Sequence, residues 1–187
     1  MKTVVFIIGT NAVGKSTLAR LLIGRCGGVQ RIDSDITYCG DGVHAFAGSY
    51  AGSTYGGVDA VKNEKGSSCT SRLAGIVEAA LKTRDTVYCE GMMLHTFGIN
   101  LTNAAFKGDR ALVVFLYASP QVIDGRLLER SNKRVTQSIL KKQIATAASA
   151  RRWAQIGVPV LTFDTGSVPI ERVADRVQEK VTELCGR

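Results

Sequence analysis

The sequence contains no apolar run of the about 20 residues that a membrane-spanning helix needs, and no signal-peptide pattern precedes its first motif. Its five cysteines form no C-x-x-C pair, and its two histidines, His44 and His95, have no partner at metal-ligand spacing. These absences argue against a secreted disulfide-stabilised protein, a membrane partner, and a metal site on either histidine. They predict a cytoplasmic protein whose cysteines are reduced and serve as small core residues.

Acidic residues are also missing from one long stretch of a chain whose formal net charge is +8. Between Glu129 and Asp164 the charged residues are all basic: Arg130, Lys133, Arg134, Lys141, Lys142, Arg151 and Arg152. Two interpretations remain open. The stretch is either a solvated basic helix face or a surface that binds polyanions, such as nucleotide phosphates or a nucleic acid.

The most specific motif is the segment Gly9–Thr17, whose sequence GTNAVGKST fits the phosphate-loop pattern G-x-x-x-x-G-K-[S/T]. The apolar segment Thr3–Ile8 before it is typical of a buried strand, and leucines at helical spacing follow it. Unpaired backbone N–H groups at such a helix start bind phosphate oxygens. We therefore predict a nucleoside triphosphate site on Gly9, Asn11, Ala12, Val13, Gly14, Lys15, Ser16 and Thr17. The alternative is a strand–turn–helix that matches the pattern by accident.

Within this loop, two side chains have distinct predicted roles. Lys15 is expected to reach the outer phosphates as a point charge, and the Ser16 hydroxyl is expected to ligate the magnesium ion that bridges them.

The rest of the chain alternates apolar runs with helical periodicity, which predicts a single α/β domain over residues 1–187, with a parallel sheet covered on both faces. The predicted strands are Thr3–Ile8, Val29–Ile32, Thr86–Glu90, Ala111–Tyr117 and Val158–Phe163. Residues 37–68 have few side chains able to anchor a core, which predicts a long loop that is mobile or binds something.

Ligands of an open parallel sheet bind beyond the carboxyl ends of its strands. The polar residues that directly follow the predicted strands should therefore share one crevice with the phosphate loop. They are Asp33, Asp35, Glu90, Ser119 and the segment Asp164–Ser167.

Three patches carry a family resemblance: Gly9–Thr17, Asp33–Asp35 after the second predicted strand, and Ala118–Arg130 at the start of a predicted helix. Together they resemble the P-loop kinases of the nucleoside-monophosphate and polynucleotide kinase group. The resemblance implies a three-layer P-loop NTPase fold with a five-stranded parallel sheet in the order 2-3-1-4-5. It also implies a lid after strand 4, at about residues 130–137, and an ATP- and Mg²⁺-dependent phosphotransferase with ATP and Mg²⁺ as cofactors.

The resemblance also implies catalytic roles. Asp35 matches the aspartate that contacts the acceptor hydroxyl and takes its proton, with Asp33 as the alternative. Arg126 matches an arginine that packs on the adenine base, and Arg130 matches one that touches phosphate. The competing interpretation of both arginines is an exposed helix face.

Glu90 stands where this superfamily usually has an aspartate at the end of an apolar strand. Two roles remain open for it: holding magnesium through water, or contacting the acceptor. The candidate acceptor-binding residues are Asp35, Tyr55, Asp59, Glu90 and Arg134, with Arg134 in the implied lid.

The acceptor is the least constrained part of the prediction. Tyr38, Phe46, Tyr50 and Tyr55 lie among glycines in residues 37–68, a composition that can stack on an exposed base. This segment is similar to bacteriophage enzymes that phosphorylate 5-hydroxymethyluracil in DNA, which implies DNA with a modified pyrimidine as the partner and the host cytoplasm as the location. A kinase of free deoxynucleotides or other small molecules is the alternative.

A regulatory nucleotide-binding ATPase or GTPase is the alternative of another class. The guanine-reading Asn-Lys-x-Asp motif is absent, because Asn132–Val135 lacks the final aspartate. This disfavours a GTPase switch.

Overall fold

The computed structural model describes residues 2–51, 56–61, 69–94 and 110–186. Within these ranges the chain forms seven strands, five α-helices and one 3₁₀ turn, Val58–Ala60. The strands are β1 (Thr3–Ile8), β2 (Val29–Asp33), β3 (Ile36–Cys39), β4 (His44–Ala47), β5 (Thr86–Glu90), β6 (Arg110–Tyr117) and β7 (Val160–Asp164). The helices are α1 (Lys15–Arg25), α2 (Cys69–Leu81), α3 (Pro120–Ser131), α4 (Gln137–Gln155) and α5 (Ile170–Cys185).

All seven strands form one mixed sheet in the order β2-β3-β4-β5-β1-β6-β7. The strands from β4 to β7 in this order run parallel, whereas β2 and β3 form an antiparallel hairpin at the edge. The predicted five-stranded parallel sheet is therefore wrong. The segment predicted as the second parallel strand is the outer strand of the hairpin, and its side chains are mostly exposed.

On the side of β5 away from β1, the parallel neighbour is β4, which lies inside the segment predicted as a loop. Its sequence, His-Ala-Phe-Ala, has one bulky apolar residue and no clear alternation. Small alanines suit this position because α2 packs on the sheet here, with Ala45 and Ala47 buried in the same cluster as Leu73 and Val77. Small-residue packing of this kind leaves little periodic pattern in the sequence.

Helices cover both faces of the sheet, as predicted. On one face, α2 and α4 pack against alternate residues of β1, and the Trp153 ring lies 4.9 Å from the ring of Phe6. On the other face, α1 and α5 cover Val5 and Ile7. Every side chain of β1 is buried, so the strand that leads into the phosphate loop is the centre of the core.

Two helix starts near the crevice are capped as their sequences suggest. Ser119 accepts a hydrogen bond from the Val122 amide at α3, and Thr136 accepts one from the Ile139 amide at α4. No helix among the described residues is long and apolar enough to cross a bilayer.

Candidate functional site: a phosphate loop facing two carboxylates

The phosphate loop leaves the end of β1 through a sharply bent backbone. Gly9 has φ +158°, and a Cβ there would lie 2.6 Å from the Leu116 carbonyl oxygen. Gly14 has φ +90° and immediately precedes α1. Glycine is favoured at both positions, so the two glycines of the pattern Gly-x-x-x-x-Gly allow the sharp bend of this loop.

Lys15 begins α1 and points into the protein rather than into solvent. Its side chain is 9% exposed, and Nζ donates a hydrogen bond of 2.9 Å to the Thr10 carbonyl oxygen. Burial lowers the pKa of Lys15, while the charges of Glu90 and Asp59 oppose this shift and Arg130 adds to it. Glu90, Asp59 and Arg130 line the same crevice as the ammonium.

Glu90 is placed beside the loop because β5 pairs with β1, with Glu90 opposite Ile7. The Ser16 hydroxyl donates to Oε1 of Glu90 at 3.2 Å, and the Tyr50 hydroxyl donates to Oε2 at 3.2 Å. Burial raises the pKa of Glu90, although Lys15, Tyr50 and Ser16 all act in the opposite direction. The carboxylate thus has donors on both oxygens at the floor of the site.

Asp59 supplies a second carboxylate from the 3₁₀ turn. Its two oxygens accept hydrogen bonds from the backbone amides of Met92 and Met93, at 2.6 Å and 3.2 Å. A Cβ on Gly57 would collide with Glu90, so this close approach requires glycine. The turn is therefore packed directly onto the end of β5.

Arg126 on α3 ties the phosphate loop to the turn after β7. It donates to the Thr165 hydroxyl at 2.9 Å, the Thr165 carbonyl at 2.6 Å and the Ala12 carbonyl at 3.2 Å. Arg130, one helical turn later, also lines the crevice.

These groups enclose a crevice of about 710 Å³, a size typical of sites for nucleotide-sized ligands. Its walls are the phosphate loop, the 3₁₀ turn, α3 and the start of α5. The lining includes Asn11, Ala12, Gly14, Lys15, Ser16, Thr17, Gly56, Gly57, Asp59, Glu90, Arg126, Arg130, Thr165 and Ile170.

Asp33 and Asp35 lie at the same edge of the sheet but outside this crevice, as far as the described residues define it. They flank the turn of the β2–β3 hairpin, and Asp35 forms an ion pair of 2.8 Å with Arg72 on α2. Three strand spacings, about 14 Å, separate β3 from β1. The assignment of either aspartate as the base remains a prediction that this position does not favour.

The remaining predicted site residues that the structure describes do not line the crevice. Arg134 pairs with Asp124 at 2.7 Å, and its side chain is 73% exposed. Tyr55 lies outside the described residues. The idea that the aromatic residues stack on a base is wrong for Tyr38, Phe46 and Tyr50, because all three are buried.

The sequence did not indicate the contact of Tyr50 with Glu90, nor that of Thr165 with Arg126. Each contact joins two segments that are distant along the chain, and no local sequence pattern predicts such a contact. The only available hint was positional, since Thr165 follows a predicted strand.

No protein-family model matches the chain, and no curated protein sequence is significantly similar to it. Solved structures are similar in fold. A sugar kinase from Janibacter sp. has a TM-score of 0.56 at 15% identity, over 95% of this chain and 92% of that chain. A shikimate kinase from Acinetobacter baumannii in complex with shikimate has a TM-score of 0.52 at 14% identity, over 98% and 94%.

A deoxyadenosine kinase from M. mycoides has a TM-score of 0.51 at 10% identity, over 96% of this chain and 98% of that chain. The fold of this chain is accordingly that of P-loop kinases. The named kinases act on a sugar, on shikimate and on a deoxynucleoside, so the fold by itself does not specify the acceptor.

Proposed function

We propose that the protein is a kinase that transfers the terminal phosphoryl group of ATP to the hydroxyl group of a small acceptor. The main observation behind this proposal is the set of side chains that line the crevice. They place the Lys15 ammonium, the Ser16–Glu90 hydrogen bond and the Asp59 carboxylate around one cavity of nucleotide size. The kinase folds of the similar structures support the same type of reaction.

The phosphate loop binds the triphosphate through its amides in this proposal. Lys15 exchanges its bond to the Thr10 carbonyl for a phosphate oxygen, which relieves the cost of burying its charge. Arg126 and Arg130 add positive charge from α3, where charge develops on the transferred group. Thr165 and Ile170 border the part of the cavity that receives the nucleoside.

The residues present also fit Mg²⁺, which prefers oxygen ligands and keeps several of its waters. The Ser16 hydroxyl and the Glu90 carboxylate are adjacent oxygen donors at the phosphate end of the cavity. They would hold the ion, directly or through water. When bound, the ion supplies charge neutralisation between the β- and γ-phosphates.

Asp59 is the group that we assign to orient the acceptor hydroxyl and take its proton. Asp59 is exposed and lines the cavity, whereas Glu90 is only 4% exposed and its Oε1 accepts a hydrogen bond from Ser16, where we place the metal ion. The two backbone bonds from Met92 and Met93 hold Asp59 in one orientation and leave lone pairs on its oxygens. A fixed carboxylate at this place can align an attacking oxygen.

A second candidate acceptor is a 5-hydroxymethyl group on uracil in DNA. It is favoured by the exposed basic side chains of α4, which include Lys141, Arg151 and Arg152. The start of α4 adjoins the phosphate loop, since the Thr10 hydroxyl bonds to the Ile139 carbonyl. DNA bound along this helix would bring the hydroxymethyl group of one modified base near the cavity.

The test is phosphoryl transfer from labelled ATP to a panel of free sugars, nucleosides, monophosphates, plain DNA and hydroxymethyluracil DNA. We expect magnesium-dependent transfer to one small acceptor, and no transfer by Lys15→Ala. Transfer to modified DNA alone, with steep loss of binding as salt rises, would favour the second candidate. No binding of ATP by well-folded protein would overturn both.

A further inference from the structure

A second cluster of reactive side chains lies at the opposite end of the sheet from the crevice. Cys26 caps the end of α1, Asp41 lies in the turn between β3 and β4, and His44 is the first residue of β4. His44 pairs with Thr86, the first residue of β5, so it marks the amino ends of the parallel strands. The crevice lies at their carboxyl ends, and the cluster plays no part in the function proposed above.

Ligand atoms of three different chemical types converge in this cluster. The Cys26 sulfur, an Asp41 carboxylate oxygen and a His44 ring nitrogen all lie within 4.8 Å of one another. The Asp41 carboxylate also contacts Nδ1 of His44 at 2.5 Å, and its other oxygen accepts from the backbone amides of Val43 and His44. Asp41 is therefore held in one orientation, towards the imidazole.

The backbone keeps the two segments together without help from these side chains. The Asp41 amide donates to the Cys26 carbonyl at 3.0 Å, and the Gly40 amide donates to the Gly28 carbonyl at 3.1 Å. A Cβ on Gly40 would lie 2.5 Å from the Gly27 carbonyl oxygen, so the approach needs glycine. The cluster is thus part of a preformed junction between α1 and the β3–β4 turn.

A fourth side chain packs against this cluster. The Tyr88 hydroxyl is fully buried and has no hydrogen-bond partner among the described residues. The ring of Tyr88 lies 5.8 Å from the ring of His44. A buried polar group without a partner therefore belongs to a side chain in contact with the cluster.

We propose that Cys26, Asp41 and His44 bind one Zn²⁺ ion, with water as the fourth ligand. A thiolate, an imidazole and a carboxylate are all ligands that zinc accepts in tetrahedral sites. Bonds of about 2.0–2.3 Å place tetrahedral ligand atoms about 3.3–3.8 Å apart. The three ligand atoms lie within 4.8 Å of one another, so small side-chain rotations would bring them to that spacing, and the ion would replace the hydrogen bond between Asp41 and His44.

The surroundings favour a cation at this point. Cys26 lies at the C-terminus of α1, where the helix dipole is negative. The Tyr88 hydroxyl would donate to a bound thiolate, which satisfies a group that is otherwise buried without a partner. The side chains of His44 and Asp41 are 20% and 29% exposed, so an ion can enter from solvent.

Cobalt titration of the metal-stripped full-length protein under reducing conditions tests this site. We expect one Co²⁺ per chain, with a thiolate-to-cobalt charge-transfer band and tetrahedral visible bands, and displacement by one equivalent of Zn²⁺. His44→Gln should weaken binding at least about tenfold. Cys26→Ser should abolish the charge-transfer band, because Cys26 is the only thiol in the ligand set. Cys185→Ser is the matched control and should titrate as the wild type does.

A second measurement needs no variant and so does not depend on whether the substituted proteins fold. Zinc should protect Cys26 from alkylation in the wild type, as mapped by mass spectrometry, and leave Cys185 as reactive as before. The proposal is overturned if the wild type shows no thiolate–cobalt band. It is also overturned if His44→Gln and Cys26→Ser titrate unchanged, or if zinc leaves the alkylation of Cys26 unchanged.

Discussion

The Ser16 hydroxyl donates a hydrogen bond to Oε1 of Glu90 at 3.2 Å, which joins the first turn of α1 to the end of β5. The two residues are far apart in sequence and meet because β5 pairs in parallel with β1. Lys15 also lines this part of the crevice. The ammonium that we propose binds phosphate and the two oxygen donors that we propose bind a divalent cation therefore lie on the same wall of the crevice. Four predictions test this arrangement.

Lys15→Ala should abolish phosphoryl transfer and leave the fold intact. The ammonium is the cation at the base of the loop, and removal of one charge-stabilising donor typically costs about 10²–10³-fold in kcat. The measurement is turnover with labelled ATP, together with a circular dichroism melt. Lys141→Ala, an exposed lysine on α4, is the control and should retain the activity on a small acceptor. Wild-type turnover in Lys15→Ala would remove the phosphate-loop assignment.

Asp59→Asn should lower kcat by about 10²-fold or more, because it removes the proposed proton acceptor, while the Kd for ATP should hardly change. Asp35→Asn is the paired variant, because Asp35 is the base implied by the kinase resemblance. Its ion pair with Arg72 places it outside the crevice, so we expect near-normal turnover. The larger loss of turnover in Asp35→Asn would return the role to Asp35.

Glu90→Gln should flatten the dependence of stability on pH. Burial raises the pKa of Glu90 above its unfolded value, so the folded state binds this proton more tightly. The stabilisation is complete below the unfolded pKa and is lost as pH rises through the folded pKa. We expect the free energy of unfolding of the wild type to fall with pH more steeply than that of Glu90→Gln from about pH 4 upwards.

Urea unfolding over this range measures the effect of Glu90. Glu171→Gln, at an exposed position on α5, is the control and should follow the wild type. If the free energy of unfolding depends on pH in the same way for Glu90→Gln and the wild type, burial does not raise the pKa of Glu90 and the prediction is wrong.

Arg126→Ala should weaken ATP binding by about tenfold or more, since hydrogen bonds to a charged group contribute about 1.5–3 kcal/mol each. It should also lower Tm, because Arg126 links the phosphate loop to the turn at Thr165. Calorimetric titration with ATP and a thermal melt measure the two effects. Arg134→Ala is the control, because Arg134 is an exposed arginine whose side chain pairs with Asp124. Equal ATP affinities in the two variants would contradict the assignment.

The sequence alone predicted the parts of the fold that depend on local pattern. The phosphate loop could be predicted from its two glycines, its lysine and the apolar strand before it. The closing helix was visible as an apolar stripe, and Val173, Val177 and Val181 on it are buried as expected. Helix α3 could be located because Ser119 and Pro120 form a recognisable start.

Patterns failed where pairing between distant segments decides the structure. The segment Val29–Ile32 fits a strand, but nothing local distinguishes an edge hairpin from a central parallel strand. Strand β4 carries alanines, and its burial depends on α2 packing above it. The base predicted at Asp35 depended on that misplaced strand, and so its position shifted with the hairpin.

The amino-acid sequence by itself determined an α/β fold with a glycine-bent loop after its first strand, because glycine conformation and apolar periodicity are short-range properties. Only the tertiary structure decided which carboxylates face that loop, and that Cys26 and His44 meet at the other end of the sheet. Both outcomes follow from strand order and helix packing, which depend on contacts between segments far apart in the chain.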